Sequence, residues 1–143
     1  MSPRQNRAMT LDRRLVSSGS GYEPRLGYSR AVRVGPFVFV SGTTAASPDG
    51  PVGGDDAAAQ AEEVLRRIRS ALERAGADLD DVVRTRIYLT DIDDFENVGR
   101  VHGATFGDIR PATSIVEVCA LAHPALLVEI EADAVIQNGA SPG

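Results

Sequence analysis

A chain of 143 residues is about the size of one average domain, and its 43% hydrophobic and 24% charged residues are typical of a globular protein rather than a disordered or fibrous one. A formal net charge of −5 argues against binding to nucleic acid, which needs a broad positive surface. All fifteen basic residues are arginine, which excludes a Schiff-base lysine and the pyridoxal phosphate chemistry that depends on one.

The first predicted element is a β-hairpin that follows a polar segment. Residues 1–21 end in the run SSGSG, which is too flexible to pack, so we expect a flexible N-terminal tail and a folded domain over residues 22–137. Residues 138–143 are expected to form a short flexible C-terminal tail. The β-prone runs SRAVRV and FVFVS flank Gly35 and Pro36, which predicts two antiparallel strands joined by a turn.

A long helix is predicted next. Asp55 or Asp56 is suited to cap its first turn, and Gly76 is suited to end it in the left-handed conformation. Apolar residues between them recur at the spacing of one helical face: Ala57, Ala61, Val64, Leu65, Ile68, Ala71, Leu72 and Ala75.

The second half of the chain predicts three strands and another helix. The segment 82–90 alternates between two unlike faces, Val83, Thr85, Ile87 and Leu89 on one and Arg84, Arg86 and Tyr88 on the other. Residues 91–106 predict a helix, and the aspartates before it cap it or, as the alternative, bind a metal ion: Asp91, Asp93 and Asp94. Strands are predicted at 114–121 and 126–136. The order ββαβαββ indicates an α+β domain with two helices on one face of a mixed sheet.

The second face of this sheet is half polar and half apolar. On the last strand Val128, Ile130, Ala132 and Ala134 point to one side, and Glu129, Glu131 and Asp133 point to the other. If strands 82–90 and 126–136 are neighbours, these acids lie near Arg84, Arg86 and Tyr88. Such a face favours an oligomer interface over a bare surface.

The chain offers few residues for redox or metal chemistry. It has one cysteine, Cys119, and two histidines, His102 and His123, which exclude an internal disulfide and provide no convincing zinc set. The N-terminal segment lacks the apolar core of a signal peptide, and no run reaches the about 18 apolar residues of a membrane helix. We therefore expect a soluble cytoplasmic protein, with a mitochondrial transit peptide as the alternative.

Five segments together carry a resemblance to one family: GYSRAVRVGPFVFVSG (27–42), VVRTRIYLTDIDDF (82–95), PATS (111–114), VEV (116–118) and VEIEADAV (128–135). They resemble the RidA family, also called YjgF, YER057c or UK114, over about residues 25–137. The resemblance implies a chorismate-mutase-like fold and a homotrimer whose sheets form a barrel, with three ligand clefts between subunits. It also implies hydrolysis of reactive enamines and imines such as 2-aminoacrylate to 2-keto acids and ammonia, without a cofactor.

The resemblance assigns the site residues one by one. It makes Glu129 the catalytic carboxylate that holds or polarises the attacking water and Tyr28 a wall of the cleft and a hydrogen-bond donor. Ser41 and Gly42 would supply a hydroxyl and backbone N–H groups that stabilise developing negative charge. Without the resemblance, ion pairs between Glu129 or Glu131 and the arginines of strand 82–90 would be the simpler account. The family's site arginine, in its Pro-Ala-Arg-Ser motif, falls on Thr113 in this chain.

Thr113 matters because an arginine binds a carboxylate with two parallel charged hydrogen bonds, whereas a threonine offers one neutral donor. Three interpretations follow. Another arginine compensates, Arg110 first and Arg30 or Arg33 next; or the pocket has been retuned to a different ligand; or catalysis is lost. Cys119, expected on the strand face of Thr113, either borders the cleft or is a buried inert thiol.

The sequence therefore predicts a RidA-like homotrimer that hydrolyses a reactive enamine, imine or related small carbonyl metabolite, with its substrate retuned at Thr113. The alternative is a non-catalytic small-molecule-binding or chaperone-like trimer. An endoribonuclease is a weaker third interpretation, because the charge is negative and a catalytic histidine pair is absent. Binding to nucleic acid or to a membrane is not expected.

Overall fold

A computed structural model describes residues 12–137 as a mixed α+β domain. A six-stranded sheet has the strand order β1-β2-β3-β6-β4-β5. Its elements along the chain are β1 (Arg13–Val16), α1 (Tyr22–Leu26), β2 (Ala31–Val34), β3 (Phe37–Thr43), α2 (Ala57–Arg74), β4 (Val82–Leu89), α3 (Phe95–Phe106), β5 (Ala112–Glu117) and β6 (Val128–Val135). The predicted ββαβαββ order is present from β2 to β6, and β1 and α1 precede it.

Strand β1 corrects the predicted start of the folded domain at residue 22. It pairs antiparallel with β2, from Arg13 opposite Val34 to Val16 opposite Ala31, and Val16 is buried. The following serine and glycine run is also held, because Ser18 donates through its backbone N–H and its hydroxyl to the buried Glu23 carboxylate. Four residues with two arginines are too few for the period of a strand to show. The remaining tail residues, 1–11 and 138–143, lie outside the described part.

Helix α2 forms as its pattern predicts. The Asp56 carboxylate caps it by accepting hydrogen bonds from the backbone N–H groups of Ala58 at 3.0 Å and Ala59 at 3.3 Å. Gly76, with a φ of 87°, follows its last turn in the left-handed region. The helix packs on β3 and β6 and contacts α3, so both long helices lie on one side of the sheet, as expected.

A fully buried glutamine connects α2 to the start of β6. The Gln60 side-chain amide donates to the carbonyls of Gly54 at 2.7 Å and Ala125 at 2.9 Å, and its oxygen accepts from the Leu127 N–H at 2.9 Å. Three satisfied hydrogen bonds make this buried amide stabilising. They hold the β6 backbone two residues before Glu129.

The two faces of the sheet differ as the alternation on β6 predicts. Val128, Ile130, Ala132 and Ala134 are buried under the helices, while the residues between them are partly exposed. Neighbouring β4 pairs antiparallel with β6, which confirms the conditional expectation that these strands lie side by side. Val83 departs from its expected face and is 42% exposed, because the register shifts between Val82 and Arg84.

Strand β5 begins and ends earlier than its predicted range of 114–121. It spans Ala112–Glu117 at the sheet edge, parallel to β4, and most of its residues are exposed. Cys119 therefore lies after the strand and is exposed. The predictions that it is a buried thiol and that it shares a strand face with Thr113 are both wrong. No helix within residues 12–137 has the length and apolarity needed to cross a bilayer.

Candidate functional site

The Glu129 carboxylate lies against Gly42 on the sheet face opposite the helices. Glu129 precedes the buried Ile130 on β6, and the adjacent β3 has an irregular register between Val40 and Thr43. A Cβ atom added to Gly42 would lie 2.0 Å from Glu129 Oε2 and 2.9 Å from its Cδ. Gly42 is therefore required here for space, and its missing side chain is what admits the carboxylate.

Ser41 holds the chain segment that approaches this carboxylate. Its hydroxyl donates to the Ser29 carbonyl at 2.7 Å, and its backbone N–H donates to the Arg30 carbonyl at 3.0 Å. The hydroxyl proton is thus used inside the protein. Ser41 links β3 to the segment before β2 by these hydrogen bonds, and its hydroxyl is not a free donor to a ligand.

Arg30 joins the group and was ranked only as a secondary candidate from the sequence. Its Nη2 donates to the Gly42 carbonyl at 2.8 Å, and its guanidinium carbon lies 5.8 Å from the centroid of the Tyr28 ring, within range of a cation–π contact. Tyr28 lies in the loop before β2 and is 37% exposed. The structure thus brings Tyr28, Ser41, Gly42 and Glu129 together, with Arg30 among them.

The Glu129 carboxyl has a perturbed acidity. Burial raises its pKa above the ordinary value, the charge of Arg30 opposes that rise, and the Glu131 carboxylate adds to it. No carboxylate–arginine pair within residues 12–137 includes Glu129. A half-buried carboxylate without an ion pair is better suited to proton transfer than to holding the fold together.

Glu131 has a structural role. It accepts from Arg86 Nη1 at 3.1 Å and from the Tyr88 hydroxyl at 3.1 Å, and Arg86 also pairs with Asp133 at 3.3 Å. This network lies on the same face of β4 and β6 as Glu129. The ion-pair account of the acids on β6 therefore holds for Glu131 and Asp133.

Thr113 lies on the other face of the sheet. It is opposite Thr85 in the β4–β5 register, and their hydroxyl oxygens are 2.7 Å apart. Thr85 is fully buried and also contacts His102 Nε2 of α3 at 2.8 Å. Burial lowers the pKa of His102, which favours its neutral form.

The Thr113 hydroxyl has one proton and two acceptors within its own chain. It donates to the Pro111 carbonyl at 3.1 Å or to Thr85 Oγ1. Either way the single neutral donor that the sequence offered at this position is already used. What Thr113 presents outward is an acceptor oxygen, which cannot attract a carboxylate.

Arg110 precedes β5 in a loop rather than starting the strand. Its φ of 57° places it in the left-handed region, its N–H donates to the Phe106 carbonyl at 2.8 Å, and its side chain is exposed. The pairs found in residues 12–137 do not include Arg110. Arg110 and Thr113 both lie at the β5 edge of the sheet, called the Thr113 edge below. Strand β4 separates this edge from β6.

Sequence reasoning missed the polar contacts behind Thr113, which are Thr85 as its direct partner and His102 as the partner of Thr85. The signal was present, because a hydroxyl on the apolar face of a strand needs a polar partner when it is buried. Of the aspartates before α3, Asp91 caps a short 3-10 turn (Ile92–Asp94) that leads into the helix, because its carboxylate accepts from the Asp93 N–H at 2.9 Å. Asp94, at the N-cap position of α3 itself, makes no side-chain capping hydrogen bond, so the predicted cap is found on the turn and not on the helix. Within the described range no three acidic, histidine or cysteine side chains are grouped to hold a metal ion.

Comparisons with known proteins agree on one family. The sequence model described as endoribonuclease L-PSP matches residues 7–136. A RutC family protein of Pyrococcus abyssi is 40% identical over 106 residues, which are 73% of this chain and 83% of that protein.

Solved structures give the same result. A crystal structure from Mycobacterium tuberculosis, described as a member of the highly conserved YjgF/YER057c/UK114 family, has a TM-score of 0.81 and 58% identity, covering 87% of this chain and all of that one. A YjgF family member from Neisseria meningitidis has a TM-score of 0.76 and 32% identity, covering 91% and 99%. The chain belongs to the YjgF/YER057c/UK114 family.

Proposed function

We propose that this protein hydrolyses a reactive enamine, imine or related small carbonyl compound, with water as the nucleophile and without a cofactor. One observation carries the proposal: the Glu129 carboxylate is half buried, lacks an ion pair within residues 12–137, has a raised pKa and lies against Gly42. These are the properties expected of a general base.

Hydrolysis of a protonated imine needs three proton transfers that one carboxylate can perform. Glu129 accepts a proton from water as the oxygen attacks the carbon of the C=NH2+ group, which gives a neutral carbinolamine. The protonated carboxyl then donates to the amino nitrogen, the C–N bond breaks with loss of ammonia, and the protonated carbonyl that remains returns its proton to the Glu129 carboxylate to give the ketone. An enamine first gains a proton on carbon, which gives the same protonated imine.

A complete pocket requires a second copy of the chain. Glu129 and Thr113 lie on opposite faces of one sheet with β4 between them, so one subunit does not bring them together. The open face also exposes Phe37 at 44% and Phe39 at 48%, which an interface would bury. We propose a homotrimer with clefts between subunits, each formed by the Glu129 group of one copy and the Thr113 edge of the next.

The alternative function is a non-catalytic binding or chaperone-like trimer. The observation that favours it is the Thr113 hydroxyl, whose proton is used within the chain. This position therefore offers a ligand neither an arginine nor a free donor. The endoribonuclease description of the family model is less well supported here, because His102 is held by Thr85 and the net charge is −5. We infer that position 113 does not bind the substrate in the way that the arginine does in relatives which carry it.

An amino-acid oxidase coupled to the purified protein tests the proposed function. The oxidase generates imino acids, and semicarbazide traps whatever has not been hydrolysed. We expect the protein to lower the trapped fraction for at least one imino acid or neutral imine in a panel. Rates equal to those in buffer alone across the panel would contradict hydrolysis and support the non-catalytic binding trimer.

Light scattering tests the assembly separately. We expect a mass of three chains at micromolar concentration. A monomer would contradict the cleft between subunits.

A further inference from the structure

Arg30 is held beside Glu129 by contacts to its backbone and to its side chain. The backbone N–H of Arg30 donates to the Val16 carbonyl at 2.8 Å, and the Arg30 carbonyl accepts from the Ser41 N–H, so β1 and β3 fix the residue on both sides. The Tyr28 ring and the Gly42 carbonyl then position the side chain. A cation held in this way loses little freedom when it binds an anion.

The hydrogen-bonding capacity of this guanidinium is largely unused. Within residues 12–137 it donates one hydrogen bond, from Nη2 to Gly42, and its buried Nε has no partner. It forms no ion pair with a carboxylate of these residues. A buried donor without a partner is costly, and most such groups in proteins are satisfied.

Other arginines with buried contacts are used differently. Arg33 donates to the carbonyls of Gly35 and Ala75, and Arg67 donates to Thr44, Ala46 and Glu63. These residues link elements of the fold and have few donors left. Among the arginines of the described part of the chain, Arg30 combines a fixed position, spare donors and contact with the Glu129 group.

We propose that Arg30 binds the carboxylate of the substrate and so replaces the arginine that β5 does not provide. The inference rests on the proposed function, and it adds the residue that binds the carboxylate of a 2-imino carboxylate, the substrate class that the family resemblance implies. In such a molecule the carboxylate carbon is bonded directly to the C=N carbon, so the cation and the general base must be neighbours. Arg30 and Glu129 meet this condition because both contact Gly42.

The orientation of the ligand follows from this assignment. The carboxylate lies over Arg30 and Tyr28, the C=N carbon lies over Glu129, and the side chain of the imino acid points toward the Thr113 edge of the neighbouring copy. There the acceptor oxygen of Thr113 favours a ligand with an N–H or O–H group over one with a second carboxylate.

Binding of reaction products tests Arg30 without relying on catalysis. The probes are 2-oxobutanoate and its neutral amide, measured by titration calorimetry with the wild-type protein. We expect the acid to bind about 10- to 100-fold more tightly than the amide, as two charged hydrogen bonds require. Arg30→Gln should bring this ratio near one, and Arg30→Lys should give an intermediate ratio because it keeps the charge without the fork.

The matched control is Arg84→Gln, which changes an arginine on β4 away from Gly42 and should leave the ratio unchanged. An unchanged ratio in Arg30→Gln, or loss of the ratio in Arg110→Gln, would overturn the assignment. If Arg30→Gln fails to fold, the side-chain Nε–H resonance of Arg30 in the wild type serves instead. It should shift with the acid and not with the amide, and an unmoved resonance would overturn the proposal.

The two proposals fail in different ways. A wild type that hydrolyses neutral imines but does not prefer the acid would contradict the Arg30 assignment and leave the proposed hydrolysis in place. A wild type that binds 2-oxobutanoate through Arg30 but hydrolyses nothing would contradict hydrolysis and support the assignment.

Discussion

Replacement of Gly42 by alanine should remove activity without unfolding the protein. The new Cβ would be 2.0 Å from Glu129 Oε2, 2.9 Å from Cδ and 3.3 Å from Cγ, so the carboxylate must move by more than 1 Å. The obstructed atoms are the end of a flexible side chain, and we expect the free energy of unfolding to fall by less than about 1 kcal/mol. A displacement of this size at a reacting group lowers kcat by about 100-fold.

The assay is imine hydrolysis beside urea denaturation for Gly42→Ala. The matched control is Gly99→Ala on α3, where an added Cβ meets nothing within 4 Å. That variant should keep full activity and gain about 0.5–1 kcal/mol from the higher helix propensity of alanine. Full activity in Gly42→Ala would refute the placement of Glu129 in the reaction, and a loss of activity in Gly99→Ala would show that the assay reports stability instead.

Three further outcomes are expected. Because burial raises the pKa of Glu129, its charged form destabilises the folded state. Glu129→Gln should therefore raise Tm at neutral pH, and this gain should disappear below the ordinary carboxyl pKa, where the carboxyl is protonated in both states. An equal gain in Tm at all pH values would contradict the burial. Thr85→Val should cost about 1–3 kcal/mol in urea denaturation, because His102 loses its partner. Asp56→Ala should cost about 1 kcal/mol in the same experiment, and no change would mean that the cap of α2 is dispensable.

The main elements could be predicted because their signals are local. The period of α2, its cap at Asp56 and the alternation of β6 each follow from a few neighbouring residues. Strand β1 could not be predicted, since its order comes from pairing with β2 and not from its own four residues. The extent of β5 was placed too late for a similar reason, because an edge strand is limited by its partner β4.

The site was predictable in part. Tyr28, Ser41, Gly42 and Glu129 were named from motifs, and the structure groups them. Their individual tasks depend on three-dimensional contacts: the Ser41 hydroxyl is used by Ser29. Which arginine can act is equally non-local, since the guanidinium of Arg30 reaches Gly42 twelve residues away.

The most direct measurement of the central claim is the steady-state rate of imine hydrolysis by Glu129→Gln. Asp133→Asn is its control, since it changes a carboxylate on the same strand and face that pairs with Arg86. We expect kcat to fall by about 100- to 10,000-fold in Glu129→Gln and to stay near the wild-type value in Asp133→Asn. Wild-type kcat in Glu129→Gln would contradict a general base at this position.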